Sequence, residues 1–238
     1  MKITALLTGR GNNTLKDKNL LHLNGHPLLH YPASTAKNSK LITEFYVSSE
    51  CEKILSEASK FGYKNIVRPN ALSTETALHK DVLIHALQEM KKDEHIPDVL
   101  VVLMANSPTI KKEWLDDCIE LILKKNFLTS VVPAVKDQDK HPYRAKTASQ
   151  DGSLVSFFDF STSEIPTNRQ QLPECYFLCH NFWVIRLTNG FLPELGESPW
   201  IFLGNKVMPY IVEESVDIHE LRDLERSSKW LYENNISL

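Results

Sequence analysis

The sequence predicts an α/β protein with a doubly wound, mostly parallel sheet. Short apolar or β-branched runs, typical of buried parallel strands, recur along the chain. Between them lie segments whose apolar residues have the spacing of amphipathic helices, so strands and helices alternate. Sheets of this kind bind ligands at the carboxyl ends of their strands, where the strand order reverses. We therefore expect the functional site in loops that follow strands, beginning with the loop after residue 8.

The elements can be placed in order. Predicted strands in the first part of the chain cover residues 3–8, 44–49, 98–104 and 128–135. Predicted helices cover 51–62, 81–92 and 107–125. The last of these begins at Ser107-Pro108, because serine is a good helix cap and proline suits the first turn. A strand at 207–218 and a helix at 219–234, packed through Leu221, Leu224 and Trp230, complete the pattern.

The pattern changes between residues 136 and 187, where short extended pieces alternate with polar turns. We assign this stretch to a small β-rich lobe of one domain that spans residues 1–238. The lobe contains an aromatic set for which we expect core or dimer packing before ligand stacking. Its members are Phe157, Phe158, Phe160, Phe182 and Trp183.

Composition places the chain among ordinary globular proteins, with 42% hydrophobic and 24% charged residues. A formal charge of −3 argues against a protein that coats nucleic acid. The apolar run at the N-terminus is too short for a signal peptide or a membrane span. The four cysteines form no metal-binding or disulfide motif, so we expect reduced thiols and a cytoplasmic protein that has no membrane partner.

The loop at residues 9–19 combines two glycines with three cations directly after the first strand. Backbone amides at Gly9 and Gly11, the Arg10 guanidinium and the Lys18 ammonium are groups that bind phosphate oxygens. A third fingerprint glycine and a P-loop GK[ST] are both missing, which disfavours dehydrogenases and P-loop enzymes. A solvated basic turn is the alternative reading of this loop, and its position after a buried strand favours the phosphate site.

Six blocks of sequence, in order, carry a resemblance over nearly the whole chain. They are ALLTGRGNNTLKDKNL, FYVSSECEKILSEASKFG, IVRPNALSTETALHKDVLIHAL, VVLMANSPT, NRQQLPECY and SVDIHELRDLERSSKWL. Together they resemble the acylneuraminate cytidylyltransferases, whose opening motif reads PARGGSKGIPKKN. The resemblance implies a Rossmann-like sheet of the nucleotide-diphospho-sugar transferase type. It also implies transfer of CMP from CTP to a sialic-acid-like nine-carbon sugar with Mg²⁺ or Mn²⁺, and a homodimer in which the small lobe closes over the neighbouring site.

The resemblance assigns a nucleotide site. Arg10 and Lys18 correspond to the residues that hold the triphosphate, and Asn19 lies beside the nucleotide. Arg68 corresponds to the arginine that helps recognise cytosine, whose acceptors suit a guanidinium, although a surface arginine is the alternative. His79 stands where the family has a serine near the triphosphate. Asn106 contacts the sugar or the nucleotide, or is an ordinary turn residue.

The resemblance also assigns sugar and metal ligands. Arg169 and Gln170 match the stretch that recognises the acidic sugar, and Asn181 is a weaker match to a downstream asparagine. Asp217 and His219 stand where the family has two metal-binding aspartates on a strand end. Because imidazole is a poor ligand for Mg²⁺, His219 binds phosphate instead or favours Mn²⁺. The later Asp223 has a structural explanation as a first-turn helix residue.

Two alternatives remain open on the sequence. One is an enzyme of the same fold that acts on an octulosonate or on a different nonulosonate. The other is a non-catalytic nucleotide-sugar-binding protein, which the departures at Met104 and His219 would explain. Retention of Arg10, Lys18 and Asp217 favours the enzyme.

Overall fold

The computed structural model describes residues 1–11, 14–159 and 165–238. Its centre is an eight-stranded sheet. The strands of this sheet are β1 (Ile3–Thr8), β4 (Glu44–Ser49), β5 (Lys64–Val67), β6 (Val99–Met104), β7 (Ser130–Lys136), β10 (Tyr176–Leu178), β11 (Phe182–Arg186) and β12 (Val207–Ile211). Two short hairpins lie outside it, β2 (His22–Leu23) with β3 (His26–Pro27), and β8 (Lys146–Ala148) with β9 (Leu154–Ser156). The helices are α1 (His30–Asn38), α2 (Glu52–Ser59), α3 (His79–Lys92), α4 (Lys112–Lys124) and α5 (Leu221–Glu233).

The sheet has the predicted mostly parallel order. Strands β4 and β5 extend from one edge of β1, and β6 pairs with its other edge, all in parallel. Strand β11 then runs antiparallel between β6 and β7, and β12 pairs in parallel with the far edge of β7. The direction of winding therefore reverses at β1. The carboxyl ends of β1 and β6 meet at this point, which is where a doubly wound sheet binds its ligand.

Apolar side chains cover both faces of the sheet. One core contains the inward residues of α1, α2 and α4, and the other contains those of α3. The alternation of side chains along β11 shows the two faces directly, because Phe182 belongs to the first core and Trp183 to the second. A third, smaller cluster packs α5, through Trp230 and Leu231, against Leu28 and Tyr31. The buried strands explain why the sequence shows continuous apolar runs rather than polar and apolar alternation.

The predicted start of the helix at Ser107 is wrong, since α4 begins at Lys112. The hydroxyl of Ser107 donates to the carbonyl of His180 at 2.9 Å, and that of Thr109 donates to the carbonyl of Val216 at 3.1 Å. Both hydroxyls hold the segment after β6 to distant parts of the chain. These hydroxyls are therefore not helix caps. They fix the position of the segment between β6 and α4, which contains the predicted site residue Asn106.

The predicted β-rich lobe is too large. Residues 176–178 and 182–186 are strands of the central sheet, and β11 occupies an interior position there. Burial on both faces accounts for the apolar run at 182–185, which belongs to the core rather than to a lobe. Among the described residues of the predicted lobe, the β8–β9 hairpin and the segments that flank it remain outside the central sheet. Phe157 and Phe158 at this hairpin are exposed, and Phe160 lies outside the described residues.

The last part of the chain also differs from the prediction. Strand β12 ends at Ile211, so the segment 215–219 is an irregular loop rather than the end of a strand. Leu221 is exposed at the start of α5, whereas Trp230 is buried as expected. Within the part of the chain that is described, no helix combines the length and the apolarity that a bilayer span requires.

Candidate functional site

A cleft of about 410 Å³ opens at the carboxyl ends of β1 and β6, where the winding of the sheet reverses. The sequence-predicted residues that line it are Gly9, Arg10, Lys18, Asn19, Arg68, His79, Asn106, Asp217 and His219. They come from six separate segments of the chain. The topology therefore brings together the predicted nucleotide and metal residues at one place.

The loop after β1 is held by a set of backbone and side-chain contacts. The Gly9 amide donates to the Ser48 carbonyl at 3.3 Å. The buried Asn19 donates from Nδ2 to the Arg10 carbonyl at 2.8 Å, so Asn19 closes the loop from its far end. A side chain on Gly9 would place its Cβ 3.0 Å from that of Ala105 and 3.1 Å from Asn19 Nδ2. A larger residue at position 9 would have to displace Ala105 or Asn19 by a few tenths of an ångström, because β1, the β6 loop and Asn19 approach so closely.

The Gly9 amide is bound to the Ser48 carbonyl rather than directed at a phosphate position, so its predicted role is not supported. Gly11 does not have the predicted role either. Its amide donates to Oε1 of Glu50 at 2.6 Å, and it is not among the described residues that line the cleft. The amide is therefore directed at a carboxylate of the protein rather than at a phosphate position. Arg10, by contrast, lines the cleft and donates from Nη1 to the Thr74 carbonyl at 2.7 Å.

Arg68 is buried at the wall of the cleft. Its Nε donates to the Ser48 hydroxyl at 3.1 Å, and one Nη donates to the Ser48 carbonyl at 2.6 Å. Burial lowers the pKa of Arg68 to about 10, with Glu50 opposing and Arg10 adding to this shift. The guanidinium therefore stays charged at neutral pH. Its fixed orientation excludes a solvated surface arginine and leaves one face toward the cleft.

His79 begins α3, lines the cleft and packs against buried aromatic side chains behind it. Its ring centroid lies 5.5 Å from that of Trp183, and its Nε2 lies 3.3 Å from the Thr8 hydroxyl. Burial lowers the pKa of His79 to about 4, and the charges of Arg68 and His180 act in the same direction. The imidazole is therefore neutral at physiological pH and offers one hydrogen bond to the cleft.

Lys18 lines the cleft, where its ammonium group is influenced by the carboxylate of Asp217. Burial lowers its pKa, the charge of Asp217 raises it, and the charge of Arg10 lowers it. The ammonium thus stands partly desolvated between a carboxylate and a guanidinium. An anion bound beside it would offset both the desolvation and the repulsion from Arg10.

Asp217 and His219 lie together in the cleft, with Nε2 of the histidine 2.6 Å from Oδ2 of the aspartate. Asp223 accepts from the amides of His219 and Glu220 and forms a capping box for α5. That confirms the structural interpretation of Asp223. The Asn106 carbonyl and amide side chain both contact Ile218, at 2.9 Å and 3.3 Å. Asn106 therefore positions the Asp217 loop as well as lining the cleft.

The donor set at Asp217 fits a divalent cation bound mainly by a nucleotide. Mg²⁺ commonly uses one or two carboxylates, together with phosphates and water, rather than a complete protein cage. Asp217 supplies one such oxygen, and the neighbouring His219 nitrogen is better suited to Mn²⁺. Across the described residues, no cluster of three or more His, Cys, Asp or Glu side chains is arranged as a metal site. The cation would therefore depend on the triphosphate for most of its ligands.

The predicted sugar residues are not brought to the cleft. Arg169 is exposed and forms an ion pair with Asp139, in which one Nη donates to both carboxylate oxygens at 2.6 Å and 2.7 Å. Gln170 is also exposed, and neither residue is among the described residues that line the cleft. Asn181 is fully buried, and its polar atoms are satisfied within the protein. Its Nδ2 donates to the Thr109 carbonyl, and its Oδ1 accepts from the Phe182 amide. The sugar role assigned to Asn181 is therefore wrong, and its side chain supports β11.

Three residues of the cleft were missed as site residues in the sequence. Thr8, Met104 and His180 complete its lining. The ring of His180 packs 5.2 Å from that of Trp200 and 5.7 Å from that of Trp183. Burial lowers the pKa of His180, and the charge of Asp217 opposes this. The position of Thr8 and Met104 at the last residues of β1 and β6 was the available signal, whereas nothing local distinguishes His180.

Comparison with known proteins extends these findings. A sequence profile described as cytidylyltransferase matches residues 10–197. The pseudaminic acid cytidylyltransferase of Campylobacter jejuni is 29% identical over 240 residues, covering 99% of this chain and 98% of that protein. The N-acylneuraminate cytidylyltransferase of Escherichia coli is 25% identical over 231 residues, covering 94% of this chain and 51% of that protein.

Solved structures show the same fold. A CMP:2-keto-3-deoxy-manno-octonic acid synthetase, solved in complex with CTP, has a TM-score of 0.70 and 16% identity, covering 98% of this chain and 100% of that chain. The Rossmann-like, mainly parallel sheet expected from the sequence is therefore confirmed. With the profile spanning residues 10–197 and the nucleotide residues gathered in one cleft, the resemblance is confirmed as well, and the chain is a nucleotidyltransferase that belongs to the cytidylyltransferase family.

Proposed function

We propose that this enzyme transfers CMP from CTP to the anomeric hydroxyl of an acidic nine-carbon sugar of the nonulosonate class, releasing pyrophosphate. The observation that carries the proposal is the convergence of Arg10, Lys18, Arg68 and Asp217 on one cleft. Three cations suit a triphosphate and a cytosine, while one carboxylate suits the metal that accompanies a nucleotide. The relatives in Campylobacter jejuni and Escherichia coli are named for the transfer of cytidylyl groups to pseudaminic and N-acylneuraminic acids, which supports the acceptor class.

In the proposed reaction, the sugar hydroxyl attacks the α-phosphorus of CTP in line, and the bond to the bridging oxygen breaks. Negative charge then accumulates on the departing pyrophosphate. Arg10 and Lys18 are the side chains that stabilise this charge, because both line the cleft beside the loop after β1. Their positions are set before the reaction by Asn19 and by the contact of Arg10 with Thr74.

Arg68 holds the base in this proposal. Two of its donors are occupied by Ser48, so the guanidinium plane is fixed and its remaining donors can address the cytosine oxygen and ring nitrogen. Neutral His79 provides a hydrogen bond without adding a further positive charge. The base and the triphosphate are thereby held by separate cations.

Asp217 would hold Mg²⁺ or Mn²⁺ together with the triphosphate, with His219 as a second ligand in the case of Mn²⁺. When bound, the cation supplies Lewis-acid stabilisation of phosphate charge. The charge of Asp217 also acts on Lys18, because it raises the pKa of the ammonium against the effect of burial.

We also propose that the enzyme works as a homodimer through the β8–β9 hairpin. Leu154, Val155, Phe157 and Phe158 are 74%, 44%, 60% and 45% exposed there. The Phe157 and Phe158 rings also pack against each other, with centroids 5.0 Å apart, and exposed apolar side chains grouped in this way are typical of protein interfaces. The mass of the protein in solution, measured by light scattering, tests this: Phe157→Ser with Phe158→Ser is expected to yield monomers.

An octulosonate is a second candidate acceptor. The CTP-bound structural neighbour is named as a CMP:2-keto-3-deoxy-manno-octonic acid synthetase, and a relative in Thermodesulfovibrio yellowstonii is named as a 3-deoxy-manno-octulosonate cytidylyltransferase. The latter is 25% identical over 164 residues, covering 68% of this chain and 63% of that protein. The eight-carbon and nine-carbon acids share the anomeric hydroxyl and the carboxylate. They differ in the length of the side chain and in its acylamino groups.

The test is release of pyrophosphate from CTP with Mg²⁺ or Mn²⁺, using pseudaminic, sialic, legionaminic and octulosonic acids as acceptors. Release that depends on a nine-carbon acid supports the proposal, and release with the octulosonate alone supports the second candidate. CTP binding without turnover on any acceptor would instead indicate a non-catalytic nucleotide-binding protein.

A further inference from the structure

Glu50 is a carboxylate that lies next to the nucleotide loop, and the mechanism above does not use it. It follows the last residue of β4 and is not among the described residues that line the cleft. Its Oε1 accepts the Gly11 amide at 2.6 Å. The carboxylate also interacts with the nearby Ser73 hydroxyl, and its Oε2 is enclosed. An enclosed carboxylate costs stability unless hydrogen bonds and opposite charges compensate for the lost water.

Glu50 carries a negative charge at neutral pH. Burial alone would raise its pKa, but the backbone amides of Glu50 and Gly11, the nearby Ser73 hydroxyl and the charge of Arg68 outweigh burial and lower it. The contact with Gly11 is therefore a charge-assisted hydrogen bond. Such bonds are roughly twice as strong as those between neutral groups.

The contact fixes one end of the segment that presents Arg10. On the other side of Arg10, the Gly9 amide is bound to the Ser48 carbonyl. Both anchors lie at the carboxyl end of β4, two residues apart. The backbone of Arg10 is thus held at two points, and its side chain is directed into the cleft.

The fit around Gly11 shows that this position is tight. A Cβ on Gly11 would lie 2.9 Å from the Cβ of Cys51 and 3.5 Å from Oε1 of Glu50. The loop therefore packs directly on the corner between β4 and α2. Glu50 supplies the polar anchor of this packed corner.

Glu50 also balances two cations of the cleft. Arg10 and Arg68 each carry a charge near the same wall, and Arg10 lowers the pKa of Arg68 while Glu50 raises it. Before the nucleotide binds, the Glu50 carboxylate thus offsets part of the repulsion that Arg10 exerts on Arg68. After binding, the triphosphate takes over part of that role.

We propose that Glu50 is a positioning residue for CTP: it holds the Gly11 amide and offsets the repulsion between Arg10 and Arg68, so that both guanidiniums are in place before the nucleotide arrives. This inference rests on the proposed binding of CTP by Arg10 and Arg68. It assigns Glu50 no contact with the nucleotide.

The test uses the full chain with Glu50→Ala and Glu50→Gln. Calorimetry measures the dissociation constant of CTP, and steady-state assays measure the KM values of CTP and of the sugar acid. We expect Glu50→Ala to weaken CTP binding by about tenfold or more, with the KM of the sugar acid and the unfolding midpoint close to those of the wild type. Glu50→Gln keeps an acceptor for the Gly11 amide but loses the charge. Its affinity for CTP is expected to lie between those of the wild type and Glu50→Ala.

A second readout does not require CTP. Hydrogen exchange of the Gly11 amide in the free protein is expected to be about tenfold faster or more in Glu50→Ala than in the wild type. Glu52→Gln is the matched control, because Glu52 is an exposed glutamate two residues along the chain. Its exchange rate and CTP affinity should match the wild type.

The outcomes separate the two proposals. Failure of the wild-type enzyme to bind CTP would overturn the proposed function, whatever Glu50 does. Unchanged Gly11 exchange, or unchanged CTP affinity in Glu50→Ala alongside normal binding by the wild type, would overturn the role of Glu50. Equal losses of CTP affinity, sugar affinity and unfolding midpoint would also overturn it, since they indicate a purely structural residue.

Discussion

Nε2 of His219 lies 2.6 Å from Oδ2 of Asp217 in a loop that belongs to no strand. The loop is shaped by contacts from outside it. Ile218 is held by Asn106, and the His219 amide is held by Asp223. These contacts direct both side chains into the cleft, as the pleat of a strand would have done.

Replacement of Asp217 should reduce catalysis more than folding. We expect Asp217→Asn to lower kcat by about 100-fold or more, because the amide carries no charge and binds a divalent cation weakly. Pyrophosphate release at saturating CTP and metal measures the effect. Glu225→Gln, an exposed carboxylate on α5, is the control and should retain full activity.

The metal preference should depend on His219. Imidazole suits Mn²⁺ better than Mg²⁺, whereas a second carboxylate suits Mg²⁺. We expect His219→Asp to raise the ratio of kcat/KM with Mg²⁺ to that with Mn²⁺ by about tenfold. An unchanged ratio would show that His219 is not a metal ligand.

Lys18 should act on the triphosphate. Lys18→Met removes the ammonium but keeps most of the side-chain volume, and we expect kcat/KM for CTP to fall by about 100-fold. Lys16→Met is the matched control, because Lys16 is exposed in the same loop and is not among the described residues that line the cleft. Equal effects of the two substitutions would contradict a specific role for Lys18.

His79 should make the protein sensitive to acid. Its pKa is about 4 in the folded state against an ordinary value of 6.5, so the unfolded chain binds more protons between these values. The free energy of unfolding should therefore fall as the pH drops from 6.5 toward 4, by on the order of 2–3 kcal/mol from this residue. Urea denaturation at several pH values should give a flatter profile for His79→Gln than for the wild type. Parallel profiles would mean that His79 protonates equally well in both states.

Asn181 should matter for stability rather than for sugar recognition. Asn181→Ala removes a buried side chain that binds Thr109 and Phe182, and we expect it to lower the free energy of unfolding by about 1–3 kcal/mol. Gln170→Ala, at an exposed position, should leave stability unchanged. A higher KM for the sugar acid in Asn181→Ala at unchanged stability would restore the sugar role.

Much of the sheet and the nucleotide half of the site follow from local patterns in the sequence. Buried parallel strands need continuous apolar runs, and these runs predicted β1, β4, β6 and β7 within a few residues. Because the winding reverses at β1, the loop that carries Arg10 and Lys18 had to open at the ligand edge. The residues in this loop act close to their own strand, so a local pattern was enough to find them.

The roles of residues whose partners are distant in sequence depend instead on how the chain folds. The run at 182–185 predicts burial, but its place between β6 and β7 depends on pairing across the whole chain. Asn181 and His180 are neighbours in sequence, yet the fold buries the first behind β11 and turns the second into the cleft. Glu50 likewise gains its partner only when the loop after β1 packs on the end of β4. Local sequence specifies which residues are apolar, whereas the direction of a polar side chain is set by long-range packing and by the hydrogen bonds that each buried group must find.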